Sequence, residues 1–318
     1  MQLIYLKLTN LTKDEKAVNN LINNQVTALA NRSNNPQAVF QDSLTSTLYP
    51  GNPVFRTMTV DEVKSVNYDR ALELGKQLFG NAKDYTFFFV GNFDEAKILP
   101  LIEQYIASLP SNGKKFKNVE TLPVKGEVVN KFTKAMENPQ DVAVEIWCSE
   151  APYTLRNSVL ADIAARVINM DYNRNIREKL SAAYYAGADA MESVKLDGKT
   201  MRVGFTGNAM MNPDKSKDAI PYFYSGLKDA MEQPNLDDLQ KVKEILLKQA
   251  DVNCKQNGYW MGVISEYLLY GIDTHTNYKK EVSSVDAKAV SDFLKNVVMK
   301  DGNHVEVIMH ATKAGEAK

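Results

Sequence analysis

The sequence predicts an α+β protein of two related α/β sandwich units, each with helices against one face of a mainly antiparallel sheet. Three observations predict it. Capped segments with apolar residues at three- and four-residue spacing alternate with short strand-like runs. Runs of strict apolar–polar alternation gather between positions 126 and 208. The order of elements in the first 110 residues returns about 220 residues later.

The first helix starts at Thr12-Lys13-Asp14-Glu15, where Thr12 can cap and Glu15 can reach back, a capping box. Val18, Leu21, Ile22, Val26 and Leu29 form its apolar stripe. Asn35-Pro36 opens a second helix with Pro36 at the first helical position, where its missing N–H costs nothing. Val39, Phe40, Leu44 and Leu48 make that helix's apolar face, and Tyr49-Pro50-Gly51-Asn52-Pro53 breaks the chain. Thr59-Val60-Asp61-Glu62 is another capping box, and Asn67 begins a helix that Gly80 can end. Tyr85 to Val90, short, aromatic and followed by Gly91-Asn92, reads as a buried strand. Asp94 to Leu109 reads as a helix leading into Pro110-Ser111-Asn112-Gly113.

A similar order runs from Asn235. Helices at Asn235–Lys255 and Gly258–Tyr270 are followed by Ser284-Val285-Asp286, a further helix, and a strand at His304–Met309. Leu269-Tyr270 stands 221 residues after Leu48-Tyr49, and Ser284-Val285-Asp286 stands 225 after Thr59-Val60-Asp61. Four elements in one order at nearly constant offset indicate an internal duplication. The second copy is preceded by strand, strand, helix, strand, strand, helix: Gly126–Phe132, Val142–Trp147, Leu155–Glu178, Ala182–Met191, Thr200–Asn208 and Asp218–Met231. The first copy lacks this preface. The expected division is therefore an N-terminally truncated first unit at 1–112, a Lys-, Asn- and Gly-rich linker at 113–123, and a complete unit at 124–318.

Apolar residues make up 44% and charged residues 24% of the 318, the balance of a globular chain. A formal net charge of −1 provides no global field for nucleic acid. No apolar run approaches the ~20 residues that span a bilayer. Cys148 and Cys254 are too far apart for a CxxC motif and read as separate, partly buried thiols.

Of the candidate chemistries, metal binding fails first. His275, His304 and His310 lack the spacing of HExxH or HxxEH. His304 and His310 fall at opposite ends of one strand, on the order of 20 Å apart by strand rise. All three read as surface histidines, with no metal in this chain. Gly198-Lys199-Thr200 imitates the tail of a phosphate loop, but Ser193 stands where its first glycine should be. Asp197-Gly198 between alternating runs is a hairpin turn instead. No G-x-S-x-G elbow occurs, so no catalytic residue is assigned.

Asn175 to Ala186 is the most informative stretch. Arg177 falls at a helix end and Tyr184 at the start of the next strand. A cation and a phenol placed there can converge on one peptide carbonyl. They can equally be a helix-end arginine satisfied by the dipole and a core tyrosine. Arg-x6-Tyr at a helix-to-strand turn, with the hairpin strand Thr200–Phe205, resembles the C-terminal half of the pitrilysin/insulinase zinc metallopeptidases, whose fold is that of the mitochondrial processing peptidases. Phe88-Phe89-Val90-Gly91-Asn92-Phe93-Asp94 resembles the same family's run from an apolar strand through Gly-x-Phe into a helix.

The resemblance implies that Arg177 and Tyr184 contact a peptide substrate near its scissile bond, with Tyr185 the alternative in register. It also implies that zinc and the catalytic glutamate belong to an N-terminal half of the same protein, so that this chain alone is inactive. Its partners would be that half and the peptide. The implied setting is a bacterial periplasm or cell envelope, although no residue assigns a compartment. A non-catalytic scaffold and a free peptide-binding module are the rival readings.

Overall fold

The structure is a computed structural model and describes residues 1–111, 113 and 115–313. The chain divides into two compact units that interleave in sequence: Met1–Asn35 with Thr57–Val119, and Pro36–Arg56 with Glu120–Lys318.

In chain order the helices of the N-terminal third are α1 (Gln2–Thr9), α2 (Glu15–Ala30), α3 (Pro36–Leu48), α4 (Val60–Lys64), α5 (Tyr68–Phe79) and α6 (Glu95–Tyr105). All but α3 belong to the first unit. Helix α1 has no signal in the sequence reading. It is tied to α6 by Gln2, which donates to the Tyr105 hydroxyl at 3.1 Å, and by an edge contact of Tyr5 with Tyr105.

The Thr12 capping box does not form. Asp14 caps α2 by accepting from Ala17 N at 2.9 Å, because a carboxylate at the N-cap also meets the positive end of the helix dipole. The Thr59 box forms in full, with Glu62 N donating to Thr59 and Thr59 N donating to Glu62. Asn67 caps α5 and Gly80 closes it. Helix α6 ends at Tyr105, short of Leu109.

Tyr85 to Val90 has no regular secondary structure and is not a strand, contrary to the sequence expectation. Among the described residues, an isolated bridge from Asn81 to Ser111 is the nearest ladder contact. Composition can favour a strand, but a strand also needs a neighbour to take its N–H and C=O groups. Here side chains anchor the run: the Tyr85 ring stacks on Phe79, and its hydroxyl donates to Leu78 O at 3.0 Å.

The second unit is the α+β sandwich anticipated. Its remaining elements are β1 (Glu127–Met136), β2 (Asp141–Pro152), α7 (Leu155–Tyr172), β3 (Ala183–Val194), β4 (Thr200–Met211), α8 (Pro213–Ala219), α9 (Pro221–Glu232), α10 (Leu236–Asn253), α11 (Asn257–Tyr270), α12 (Tyr278–Ser284), α13 (Ala287–Phe293) and β5 (His304–Lys313). The strands form one sheet in the order β1-β5-β2-β4-β3, parallel between β1 and β5 and antiparallel elsewhere.

Period-2 alternation gives this sheet two faces. Ala143, Trp147, Val203, Phe205, Ala186 and Ile308 join Ile163, Ile168, Tyr172, Phe223 and Leu294 in the main core beneath the helices. Val144, Ile146, Val305, Val307 and Met309 turn to the opposite face, where Phe40, Leu44 and Leu48 of α3 cover them. The β3–β4 hairpin turns as predicted. Gly198 takes φ 68°, and the Asp197 carboxylate accepts from Lys199 N, Thr200 N and the Thr200 hydroxyl. These hydrogen bonds hold its pKa down to about 2.

The duplicated order is present, with one correction to the pairing. Asp286 caps α13 by accepting from Ala289 N, as Asn67 caps α5, and each cap follows a short helix. Ser284-Val285-Asp286 is therefore the counterpart of Ser65-Val66-Asn67, an offset of 219 residues, and not of Thr59-Val60-Asp61.

Candidate functional site

The passage from α7 to β3 carries the two residues singled out by sequence. After Tyr172 the helix widens into a π-helical segment, Asn173–Lys179, closed by Leu180 N donating to Asn175 O at 3.2 Å. Such widened turns recur at functional sites because they displace side chains from the regular helical positions. Ser181 then takes φ 48°, the left-handed region, which reverses the chain within one residue. Two contacts hold the turn. Ala182 N donates to Ile176 O at 3.0 Å, and Lys215 Nζ donates to Leu180 O and Ser181 O at 2.8 and 3.2 Å. The ammonium thus sits on the negative end of the helix.

Strand β3 enters its pairing with a bulge. Ala183 pairs with Met211 and Tyr185 with Met210, leaving Tyr184 as the extra residue. A bulge re-aims the side chain it carries. Tyr184 is 89% exposed, and the core-tyrosine reading is excluded. Tyr185 instead lies alongside its own strand. A Cβ on Gly187 would come within 2.7 Å of both the Tyr185 hydroxyl and Asn169 Oδ1.

Arg177 and Tyr184 line one open cavity of about 570 Å³, together with Ala182, Ala183, Met210 and Met211. Ser181, Gln140 and Asn212 add polar groups, and the lining residues include one cation and no acid. A cation and a hydroxyl in one cavity with apolar lining suit an acceptor such as a peptide carbonyl or carboxylate. The structure therefore brings Arg177 and Tyr184 to one surface and leaves Tyr185 out. Sequence reading missed Ser181, Gln140 and Lys215, whose roles depend on a backbone reversal and on long-range approach.

A second polar group lies inside the sheet. Glu145 and Glu306 face each other in register on β2 and β5, and both are buried. Burial, reinforced by the neighbouring Glu306 carboxylate, raises the Glu145 pKa to about 10. Its Oε1 has no donor partner, so a proton there supplies the missing hydrogen bond to Glu306. Its Oε2 lies 2.7 Å from His304 Nε2. Burial alone would raise Glu306, but hydrogen bonds from Lys131 Nζ at 2.7 Å, the Tyr224 hydroxyl at 2.6 Å and Glu145 hold it below the usual carboxylate range.

His304 stacks on Trp147 with ring centroids 4.7 Å apart, and burial lowers its pKa. The surface reading of His304 is corrected: the ring belongs to the core, filling a slot between Trp147 and Tyr224. His310 is tied to Asp141 at 2.9 Å and His275 to the Tyr259 hydroxyl at 2.7 Å. Among the described residues, no three His, Cys, Asp or Glu side chains are grouped to hold a metal ion. Cys148 and Cys254 are free thiols, both half-buried.

Comparison with known families bears on these positions. Residues 65–246 match the family described as the peptidase M16 inactive domain. The chain belongs to this family. The match runs from α5 through the Arg177–Tyr184 turn into α10, across most of the sheet.

Two curated relatives are similar to this M16 inactive domain. "Zinc protease PQQL-like" of Arabidopsis thaliana is 22% identical over 277 residues, 82% of this chain and 29% of its own length. "Probable zinc protease PqqL" of Escherichia coli is 28% identical over 189 residues, 58% of this chain and 20% of its own. The chain thus spans less than a third of the curated relatives it matches. Among solved structures, the periplasmic protease PqqL from Escherichia coli superposes with a TM-score of 0.79 at 18% identity, covering 95% of this chain and 33% of that one. That likeness shows the fold. Both relatives are named zinc proteases, yet the donor set of this M16 inactive domain does not fit zinc, since its histidines are separately engaged with Glu145, Asp141 and Tyr259. No helix among the described residues is long and apolar enough to cross a membrane.

Proposed function

We propose that this chain is the non-catalytic, substrate-engaging part of a zinc peptidase, with the metal and the general base held by an N-terminal half. It would close the chamber over the peptide. The observation that carries the reading is the shared cavity of Arg177 and the bulged Tyr184. Both side chains are exposed, and neither is spent on an ion pair or hydrogen bond among the described residues. Their donors are free to take a substrate carbonyl, beside the half-buried side chains of Ala183 and Met210.

The chemistry at this site is orientation. A guanidinium and a phenol donating to one carbonyl fix its plane and polarise it, which matters most when charge develops on that oxygen. The zinc-protease relatives favour a hydrolytic partner, and the periplasmic relative favours a cell-envelope setting. The cavity lies wholly within the unit formed by Pro36–Arg56 and Glu120–Lys318.

Arg177→Ala in a protein carrying both halves should lower kcat/KM for peptides by roughly tenfold or more, with zinc content unchanged. Wild-type kinetics in that variant would favour the scaffold reading. Measurable peptide affinity of the isolated chain, insensitive to zinc and to Arg177→Ala, would favour a free binding module at another surface.

A further inference from the structure

Among the described residues, positive φ occurs at six glycines and at Ser181, where φ is 48°. In the left-handed region a Cβ crowds the following carbonyl oxygen, a cost that glycine escapes. Non-glycine residues persist in that region where surrounding contacts over-determine the backbone, and they cluster at ligand clamps. Here the contacts come from both sides. Leu180 N donates to Asn175 O at 3.2 Å and Ala182 N to Ile176 O at 3.0 Å, which ties the turn to the helix it leaves. Asn212 N donates to Ala182 O at 2.8 Å, and Lys215 Nζ takes the Leu180 and Ser181 carbonyls. Helix α8 is itself fixed, because the Ser216 hydroxyl donates to the buried Asp141 at 2.6 Å.

The turn is thus a rigid mount, and what it presents is a hydroxyl. Ser181 is exposed and lines the Arg177–Tyr184 cavity. Its backbone carbonyl is taken by Lys215, whereas its hydroxyl has no hydrogen bond among the described residues. A peptide backbone brings an N–H donor with each carbonyl acceptor, proline aside. Arg177 donates only, and the Tyr184 proton goes to the same carbonyl in the reading above. Asn212 Oδ1 already accepts from Asp214 N at 3.0 Å. The side-chain acceptors left in the lining are Ser181 and Gln140. Gln140 has a long side chain to order on binding, whereas Ser181 has a short one on a fixed backbone. An acceptor held ready for a peptide N–H explains a serine where glycine would be less strained.

We propose that Ser181 is a substrate-contact residue whose hydroxyl accepts a main-chain N–H of the bound peptide. It acts beside the carbonyl held by Arg177 and Tyr184. The proposal rests on the peptide-contact reading and sharpens it. What the site selects is an amide N–H of the backbone, rather than a particular side chain. The Lys215 and Asn212 contacts offset the strain at the turn, so the hydroxyl is in place before the substrate arrives.

Two variants of the product of the complete gene separate the hydroxyl from the backbone. Ser181→Gly and Ser181→Ala both remove the hydroxyl, but only glycine also relieves the left-handed backbone. Activity should follow the hydroxyl. In both variants kcat/KM for peptides falls roughly three- to tenfold, through KM, with kcat close to wild type. Stability should follow the backbone, with the melting temperature of Ser181→Gly at or above those of wild type and Ser181→Ala. Peptides N-methylated at one amide at a time locate the partner group. One of them should be a poorer substrate than its parent for the wild type and equal to its parent for Ser181→Ala. Wild-type kinetics in both variants, a loss in Ser181→Gly alone, or the same N-methylation losses in wild type and Ser181→Ala overturns the proposal. Arg177→Ala, assayed alongside, separates the two levels. A loss there with unchanged Ser181 variants defeats this inference alone, whereas wild-type kinetics in all three defeats the peptide-contact reading as well.

Discussion

Replacing Glu145 with glutamine tests the reading of the buried carboxyl pair. Glu145 is fully buried with its pKa raised to about 10, so the folded protein holds a proton there that the unfolded chain releases near pH 4.5. The sign follows from linkage: its stabilising contribution is complete below about pH 4.5 and is lost progressively as pH rises toward about 10. His304 acts in the opposite sense. Burial lowers its pKa, so it subtracts stability only below about pH 6.5, where the unfolded chain would take up a proton. Between about pH 6.5 and 8.5 the Glu145 proton therefore dominates this cluster. One proton corresponds to about tenfold in the unfolding equilibrium constant per pH unit, or about 3 kcal/mol across the window. The substituted amide would have no proton to lose, while it can still donate to Glu306 and accept from His304. Urea unfolding followed by tryptophan fluorescence is a suitable assay, because Trp147 stacks directly on His304. The Glu145→Gln variant should show a pH slope shallower by about one proton than the wild type. Identical slopes would refute a protonated Glu145.

Asp141 is a buried hub that accepts from the Ser216 hydroxyl at 2.6 Å, Ala311 N at 2.7 Å and His310 Nδ1 at 2.9 Å. Asp141→Ala should cost roughly 3 kcal/mol in chemical denaturation, with Asp141→Asn costing less, because three donors lose one acceptor in the interior. Asp197 organises the β3–β4 turn from a fully exposed position, with its pKa lowered to about 2. Its contribution is present above the unfolded carboxyl range and is lost as pH falls through about 2. Asp197→Ala should therefore speed amide hydrogen exchange at Lys199 and Thr200 near neutral pH while leaving global unfolding little changed.

Local chemistry made much of the fold legible. Thr59 with Glu62, Asn67, Gly80 and Pro36 begin or end helices where their side chains and backbone preferences say they should. Alternation placed β1, β2, β4 and β5 to within a few residues. Most of the failures are non-local. Tyr85 to Val90 has strand composition without a strand partner, and the cap expected of Thr12 falls to an aspartate two residues on. His304 reads as a surface residue because one-dimensional spacing does not show the Trp147–Tyr224 slot. Arg177 and Tyr184 were legible as a pair. The π-helical widening, the left-handed Ser181 and the bulge that turns Tyr184 outward were not, since each depends on how α7 meets the sheet.

Tyr184→Phe is the most direct test of the account, because it removes one hydroxyl from a side chain that is 89% exposed and supports no packing. In a protein carrying both halves, kcat/KM for peptides should fall by roughly tenfold, while the zinc-to-protein ratio and the melting temperature stay at wild-type values. Unchanged kcat/KM, or a loss of activity that tracks a loss of zinc or of stability, would contradict a role for this surface in holding the substrate.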